Sequence, residues 1–273
     1  MRNLTSVAAA FLGLSVMTLP SFSEIDWQPV PGAMLTTWGQ RVTPSNVWQD
    51  YPRPQMVRAD WSNLNGLWDF AITGRGDPQP REWSQQILVP FVMETPLSGI
   101  GQRLEDNQAI WYRRSFHAVS TEEERVLLHF EGVDYACQVW LNGQPVGSHR
   151  GGNLPFSFEV TAALKSGENE LFLRVIDDTD AYDRYQLRGK QKVNNSGIWY
   201  TPSSGIWQTV WLERVPQTYI KDLKTVADGE GRLDVTVMVE GRGGVAGAKV
   251  IVSRDGEVVA EARGMADGIH LQV

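Results

Sequence analysis

The side chains best placed for chemistry lie between Asp177 and Ser203. This stretch has weak strand character, and loops of such length are usually functional or disordered. Arg188, Lys190 and Gln191 put three polar donors on it. Donors on a long irregular loop can point at an acidic or hydroxylated ligand. Asp177, Asp178, Asp180 and Asp183 share the segment and raise the question of a cation. They lack the Gly and the distal Glu of a calcium loop, so no metal site is assigned. The other acidic run, Glu122-Glu123-Glu124, reads as a solvated turn, and Asp177-Asp178 as a loop at a strand end. His117, His129, His149 and His270 have no metal-ligand spacing. Cys137 is the single cysteine and sits in an alternating apolar stretch, so it reads as a buried hydrophobe rather than a nucleophile. Arg75-Gly76-Asp77 and Asn194-Asn195-Ser196 look like an adhesion tripeptide and a glycosylation sequon, and both are read as chance. Phosphate loops, dinucleotide glycine motifs and serine nucleophile elbows are missing from the sequence, and no cofactor is implied.

The elements that must position these residues are strands. Leu67 to Thr73, Gln86 to Phe91, Ala109 to Ala118 and Glu124 to Glu131 are candidates. In Val133 to Asn142, the residues Val133, Tyr135, Cys137, Val139 and Leu141 share one face, opposed by Asp134, Gln138 and Asn142. Asn142-Gly143 then offers the two positive-φ residues of a tight hairpin. Pro155 to Thr161, Asn169 to Asp177 and Gly205 to Val215 complete the set. Many short strands bounded by turns, with no convincing amphipathic helix, predict a β-sandwich. Before them, residues 24–65 form an irregular arm broken by Pro29, Pro31, Pro44, Pro52 and Pro54. Its Trp27, Trp38, Trp48 and Trp61 are expected to pin it over a sheet. Beyond Pro216 a simpler alternation begins at Leu233, and Asp255-Gly256 signals another hairpin.

Composition narrows the class. The 273 residues carry 25 basic and 32 acidic side chains, a net charge of −7, which argues against a nucleic-acid partner. With 42% hydrophobic and 21% charged residues the chain is a folding one. The 11 tryptophans need a core or a binding face to hold them. Outside the first 20 positions, no stretch reaches the ~18 uninterrupted apolar residues of a membrane span. Within them, Arg2, the apolar run Leu4 to Leu19, Pro20, and Ser21 and Ser23 before Glu24 form a secretory signal peptide over residues 1–23. A secreted or periplasmic, bacterial location is expected, since one cysteine allows no internal disulfide.

The segment LLHFEGVDYACQVWLNGQPVGSHRGGNLPFSFEVTAALKSGENELFLRVIDDTD, Leu127 to Asp180, resembles the N-terminal sugar-binding domain of family 2 glycoside hydrolases. That family groups β-galactosidases, β-glucuronidases and β-mannosidases. VPFVMETPLSG (Val89–Gly99), WYRRSF (Trp111–Phe116), LRGKQ (Leu187–Gln191) and SGIWQTVWLERVP (Ser204–Pro216) agree in the right order. The resemblance implies an all-β architecture: a jelly-roll, galactose-binding-like sandwich over residues 24–216, then an immunoglobulin-like sandwich beginning at 217. The stretch 217–273 is shorter than the about 100 residues of such a sandwich, so the chain is expected to be a fragment ending inside it. A TIM barrel of about 250 residues would follow, and both catalytic glutamates of the retaining mechanism would lie on it. No catalytic residue is therefore assigned here, and the chain by itself is expected to be inactive.

What the resemblance leaves to this domain is a rim on the substrate pocket. In some members an Asp six residues before the Gly of the exit strand binds sugar hydroxyls. Counting back from Gly205 gives Trp199, which offers a stacking face and one N–H donor instead. Trp199 and Tyr200 are candidates to stack on a sugar ring, or else to pack in a domain interface. Arg188 and Lys190 either face the ligand or pair with acids on the barrel. The implied partners are a glycoside or oligosaccharide and, within the same protein, the barrel. Two readings of another class stand beside this: a free-standing carbohydrate-binding module, and an interaction protein whose aromatics bury into a partner.

Overall fold

The computed structural model describes residues 27–119, 121–241, 247–265 and 269–272. The signal-peptide reading of residues 1–23 lies outside the described residues. The fold is a β-sandwich. A six-stranded antiparallel sheet runs in the order β3 (Gln85–Val89), β2 (Gly66–Gly74), β4 (Gln108–Ala118), β10 (Gly167–Ile176), β7 (Ala136–Leu141), β8 (Gln144–Arg150). It faces a four-stranded sheet ordered β1 (Trp61–Asn63), β12 (Val210–Pro216), β5 (Glu124–Phe130), β9 (Phe156–Glu159). Alternation builds the core between them. Trp68, Phe70, Ile110, Tyr112, Leu128, Phe130, Val139, Leu141, Leu171 and Leu173 are all buried there. Tyr112 meets Trp68 and Phe70 edge-on at centroid distances of 6.3 and 5.4 Å, the favoured geometry for aromatic quadrupoles. The hairpin between β7 and β8 turns on Asn142 and Gly143, whose φ angles are +54° and +78°.

The stretch expected as one strand from Val133 divides in two. β6 (Val133–Asp134) pairs with β11 (Gly205–Ile206), whereas β7 joins the large sheet. The chain changes partners at Tyr135, so the face parity read along it fails at Asp134. That side chain is buried at 8% exposure rather than turned to solvent.

Residues 51–61 of the arm lie on the outer face of the four-stranded sheet, while Trp27 and Val30 pack by the turn at 96–101, and two of the arm's indoles do little to hold it. Trp38 and Trp48 are exposed, whereas Trp61 packs edge-on against Tyr51 and Trp211, and Trp27 reaches the Ser98 carbonyl at 3.4 Å. Charge does the rest. Glu213 on β12 is fully buried and accepts from Arg53 at 2.7 Å, Arg58 at 2.9 Å and His129 at 3.0 Å. His129 stacks on Trp211 at 4.1 Å, and the Trp211 indole donates to Glu131 at 2.7 Å.

After Pro216 come two smaller antiparallel sheets. β13 (Thr218–Ala227), β14 (Arg232–Gly241) and β17 (Ile269–Gln272) form one; β15 (Gly247–Arg254) and β16 (Glu257–Met265) form the other. Val235, Val237, Ile269 and Leu271 are buried between them. Tyr219 ties this part to the first sandwich by packing on Leu127 and Val215. Among the described residues no helix is long and apolar enough to cross a membrane.

Candidate functional site

The irregular segment 177–204 joins β10 to β11 and is held from within. Asp177 is buried and accepts from the Ser204 hydroxyl at 2.7 Å, from the Thr179 hydroxyl at 3.0 Å and from the Gln186 amide. The Gln186 carbonyl oxygen in turn accepts the Asp178 N–H at 3.1 Å. Asp178 is taken by Arg75 and by Arg184, the latter at 2.7 Å. Asp180 accepts from Arg188 and from the Val193 N–H, both at 2.8 Å. Local sequence gives the reason for these closures. Short acids can satisfy backbone donors that no strand partner meets, as Asp180 does for the Val193 N–H.

The five residues singled out from the sequence therefore divide by task. Arg188 is spent on Asp180 and on the Thr179 carbonyl at 2.6 Å. Gln191 accepts the Ser203 N–H at 2.6 Å and fixes the loop's return. The Trp199 ring is covered by the Lys192 ammonium, 4.8 Å from its centroid, and by the Arg188 guanidinium at 5.8 Å. Lys190 and Tyr200 share a backbone hydrogen bond at 2.7 Å, and both are exposed, Tyr200 at 68%. Tyr182, Tyr185, Leu187 and Ile198 extend the exposed surface of the same loop. Of the four aspartates weighed for a cation, Asp178 and Asp180 face arginines, Asp177 faces hydroxyls and an amide, and Asp183 lies outward. Among the described residues, no group of three or more acids, histidines or cysteines is arranged to hold a metal ion. Arg75 and Asp77 of the adhesion-like tripeptide are both engaged inside the protein, with Asp178 and with the Gly74 N–H.

Two titratable residues under this loop escaped the sequence reading. Glu94, in the turn after β3, accepts the Ser204 N–H at 3.1 Å. Burial is the main cause that pushes its carboxyl up to about 7. Asp134 is likewise raised to about 7, by burial first and by the nearby Asp177 second. A signal existed for Glu94: it is a lone acid in the apolar run VPFVMETP. A cleft of about 780 Å³ lies elsewhere, between the two small sheets, and is lined by residues such as Val235, Val237 and Val250.

The sugar-binding domain of the glycosyl hydrolases family 2 matches residues 61–216, more than half of the chain. The chain belongs to glycosyl hydrolase family 2. A putative β-glucuronidase of Formosa agariphila is 31% identical over 134 residues, 47% of this chain and 15% of that protein. A β-galactosidase of Enterobacter cloacae is 25% identical over 242 residues, 78% of this chain and 22% of that protein. The chain thus spans about a fifth of the length of such relatives. Among solved structures, a β-glucuronidase from an uncultured Clostridium superposes with a TM-score of 0.61 at 23% identity, covering 80% of this chain and 40% of that one. The Faecalibacterium prausnitzii β-glucuronidase gives 0.60 at 24% identity, covering 81% and 42%. At these identities the superpositions establish the fold.

Proposed function

We propose that this chain is the sugar-binding, N-terminal portion of a secreted retaining glycoside hydrolase that cleaves O-glycosyl bonds in a β-galactosidase-like reaction. The match of residues 61–216 to a sugar-binding domain carries the reading. The organisation proposed with it is a jelly roll to residue 216, an immunoglobulin-like sandwich from 217, and the catalytic carboxylate pair in a barrel that this chain does not span. Retaining chemistry needs those two carboxyls about 5 to 5.5 Å apart, one as nucleophile and one as acid and then base. Glu94 and Asp177 are spent on Ser204 beneath a loop, so they do not serve as that pair. The residues 1–23 mark the chain for export. The loop 177–204 is the part that meets the substrate, through Lys190 and Tyr200, with Trp199 behind them and with Arg188 and Gln191 keeping the loop in shape.

Two measurements test this reading. The purified chain is expected to release no nitrophenol from aryl β-galactosides or β-glucuronides; turnover would overturn the placement of the catalytic pair. The same chain is expected to bind an oligosaccharide on a glycan array. Tyr200→Ala should weaken that binding by about threefold to tenfold, the worth of one stacked ring. Its melting temperature should not move, because the ring is 68% exposed. Unchanged affinity in the variant would remove Tyr200 from the site, and no binding by the parent chain would remove the sugar.

A further inference from the structure

Three carboxyl groups from three elements meet where the 177–204 loop returns to the sandwich. Glu94 comes from the turn after β3, Asp134 from β6 and Asp177 from the residue after β10. Ser204 joins two of them, giving its N–H to Glu94 at 3.1 Å and its hydroxyl to Asp177 at 2.7 Å. Gln191 lies against Asp134 and holds the neighbouring Ser203 N–H. Two of the carboxyl oxygens, Glu94 Oε1 and Asp134 Oδ1, are buried with no hydrogen-bond partner among the described residues. Asp134 has little room to turn away, since a Cβ on Gly152 would overlap its carboxyl.

Among the described residues, the charges set against Glu94, Asp134 and Asp177 are acidic ones. Asp177 faces both Glu94 and Asp134, Asp178 faces Asp177, and the buried phenol of Tyr112 faces Glu94. The arginines of this region, Arg75, Arg184 and Arg188, are held by Asp178 and Asp180. A buried carboxylate without a cation is costly, whereas the neutral acid is cheap to desolvate and can donate to a neighbouring oxygen. We propose that Glu94 and Asp134, set around Asp177, form a proton-operated latch, which seats the 177–204 loop when these two carboxyls are protonated and loosens it as they ionise. The latch stands whether or not the loop meets a sugar.

The direction of the pH dependence follows. Burial raises Glu94 and Asp134 to about 7, and it raises Asp177 as well. The folded chain therefore keeps protons that an unfolded chain has already released. The stabilisation is present in mild acid and is lost as the pH rises through about 7.

Hydrogen exchange of the whole chain, corrected for the intrinsic pH dependence of exchange, tests the latch. Between about pH 5.5 and about pH 8.5, amides of 178–203 are expected to lose about tenfold in protection, while those of β4 and β10 hold theirs. In the double variant Glu94→Gln, Asp134→Asn the loop should show less than about a third of that change. Loss of protection in loop and core together, no loss in either, or an undiminished change in the double variant would each overturn the proposal. Should the double variant fail to fold, the parent's contrast between loop and core decides it, with Glu94→Gln as the second test.

Discussion

Replacing Glu213 by Ala is expected to lower the stability of the chain by about 3 kcal/mol, toward the low end of what breaking a buried ion cluster costs. The reason is the company this carboxylate keeps. It is fully buried, and Arg53, Arg58 and His129 all point at its two oxygens. Removing it strands two guanidiniums that are only 17% and 18% exposed. The remaining exposure lets water reach them and keeps the loss at the lower end. Burial by itself would raise the Glu213 carboxyl, but hydrogen bonds from His129, Arg53 and Arg58 outweigh it and draw the group down to about 2. The sign then follows. The unfolded carboxyl takes up its proton near 4.5 and the folded one near 2, so this contribution is complete above about pH 4.5 and is lost as the pH falls toward 2. Urea unfolding at pH 7 and at pH 3 reads both effects. Asp60→Asn, which removes a more exposed partner of Arg214, is the control, expected to cost under about 1 kcal/mol. If Glu213→Ala shifts the urea midpoint no more than the control, the arm is held by its apolar contacts and not by this cluster.

That cluster also shows where the sequence was readable and where it was not. The sandwich was legible because its signal is periodic. Cys137, Val139 and Leu141 alternate, Asn142-Gly143 turns the chain, and β7 and β8 follow from those residues. Alternation reports which face of a strand is apolar, and it fails where a strand changes partners. Asp134 sits at such a place, one residue before the chain leaves β11 for β10, and its parity pointed to solvent when its side chain is buried. The arm failed for a different reason. Its tryptophans were expected to share the work, yet Arg53 and Arg58 do much of it through a carboxylate more than 150 positions away. No local pattern announces a partner at that separation. In the candidate site the same limit applies. The sequence located the loop and named Arg188, Lys190, Gln191, Trp199 and Tyr200. It could not tell that Arg188 and Gln191 are turned inward, because Asp180 and Ser203 become their partners only once the loop has closed.

Gly205→Ala is the substitution expected to disturb both the core and the loop. Gly205 opens β11 with φ at +93°, a conformation that side chains rarely adopt, and a Cβ there would overlap the hydroxyl of Tyr112. Tyr112 cannot give way, because it is fully buried on β4 against Trp68 and Phe70. Backbone strain of about 1 to 2 kcal/mol and overpacking of about 1 to 3 kcal/mol add to an expected loss of about 3 to 4 kcal/mol. The partner of the clash suggests its own check. Tyr112→Phe alone removes the acceptor of the Ile206 N–H, a 3.3 Å hydrogen bond, and should cost about 1 kcal/mol. In the double variant the obstructing oxygen is gone and the nearest ring carbon is 3.1 Å from the new methyl, so the pair should be about 1 to 2 kcal/mol more stable than the sum of the singles predicts. Simple additivity in urea unfolding would show that Tyr112 is not what the glycine makes room for. The neighbouring residue carries the consequence into the loop. Ser204 bridges Glu94 and Asp177, so a displaced Gly205 pulls that bridge apart. Protection of residues 178–203 should then fall in Gly205→Ala even in mild acid, where the parent chain keeps its carboxyls protonated and its loop seated.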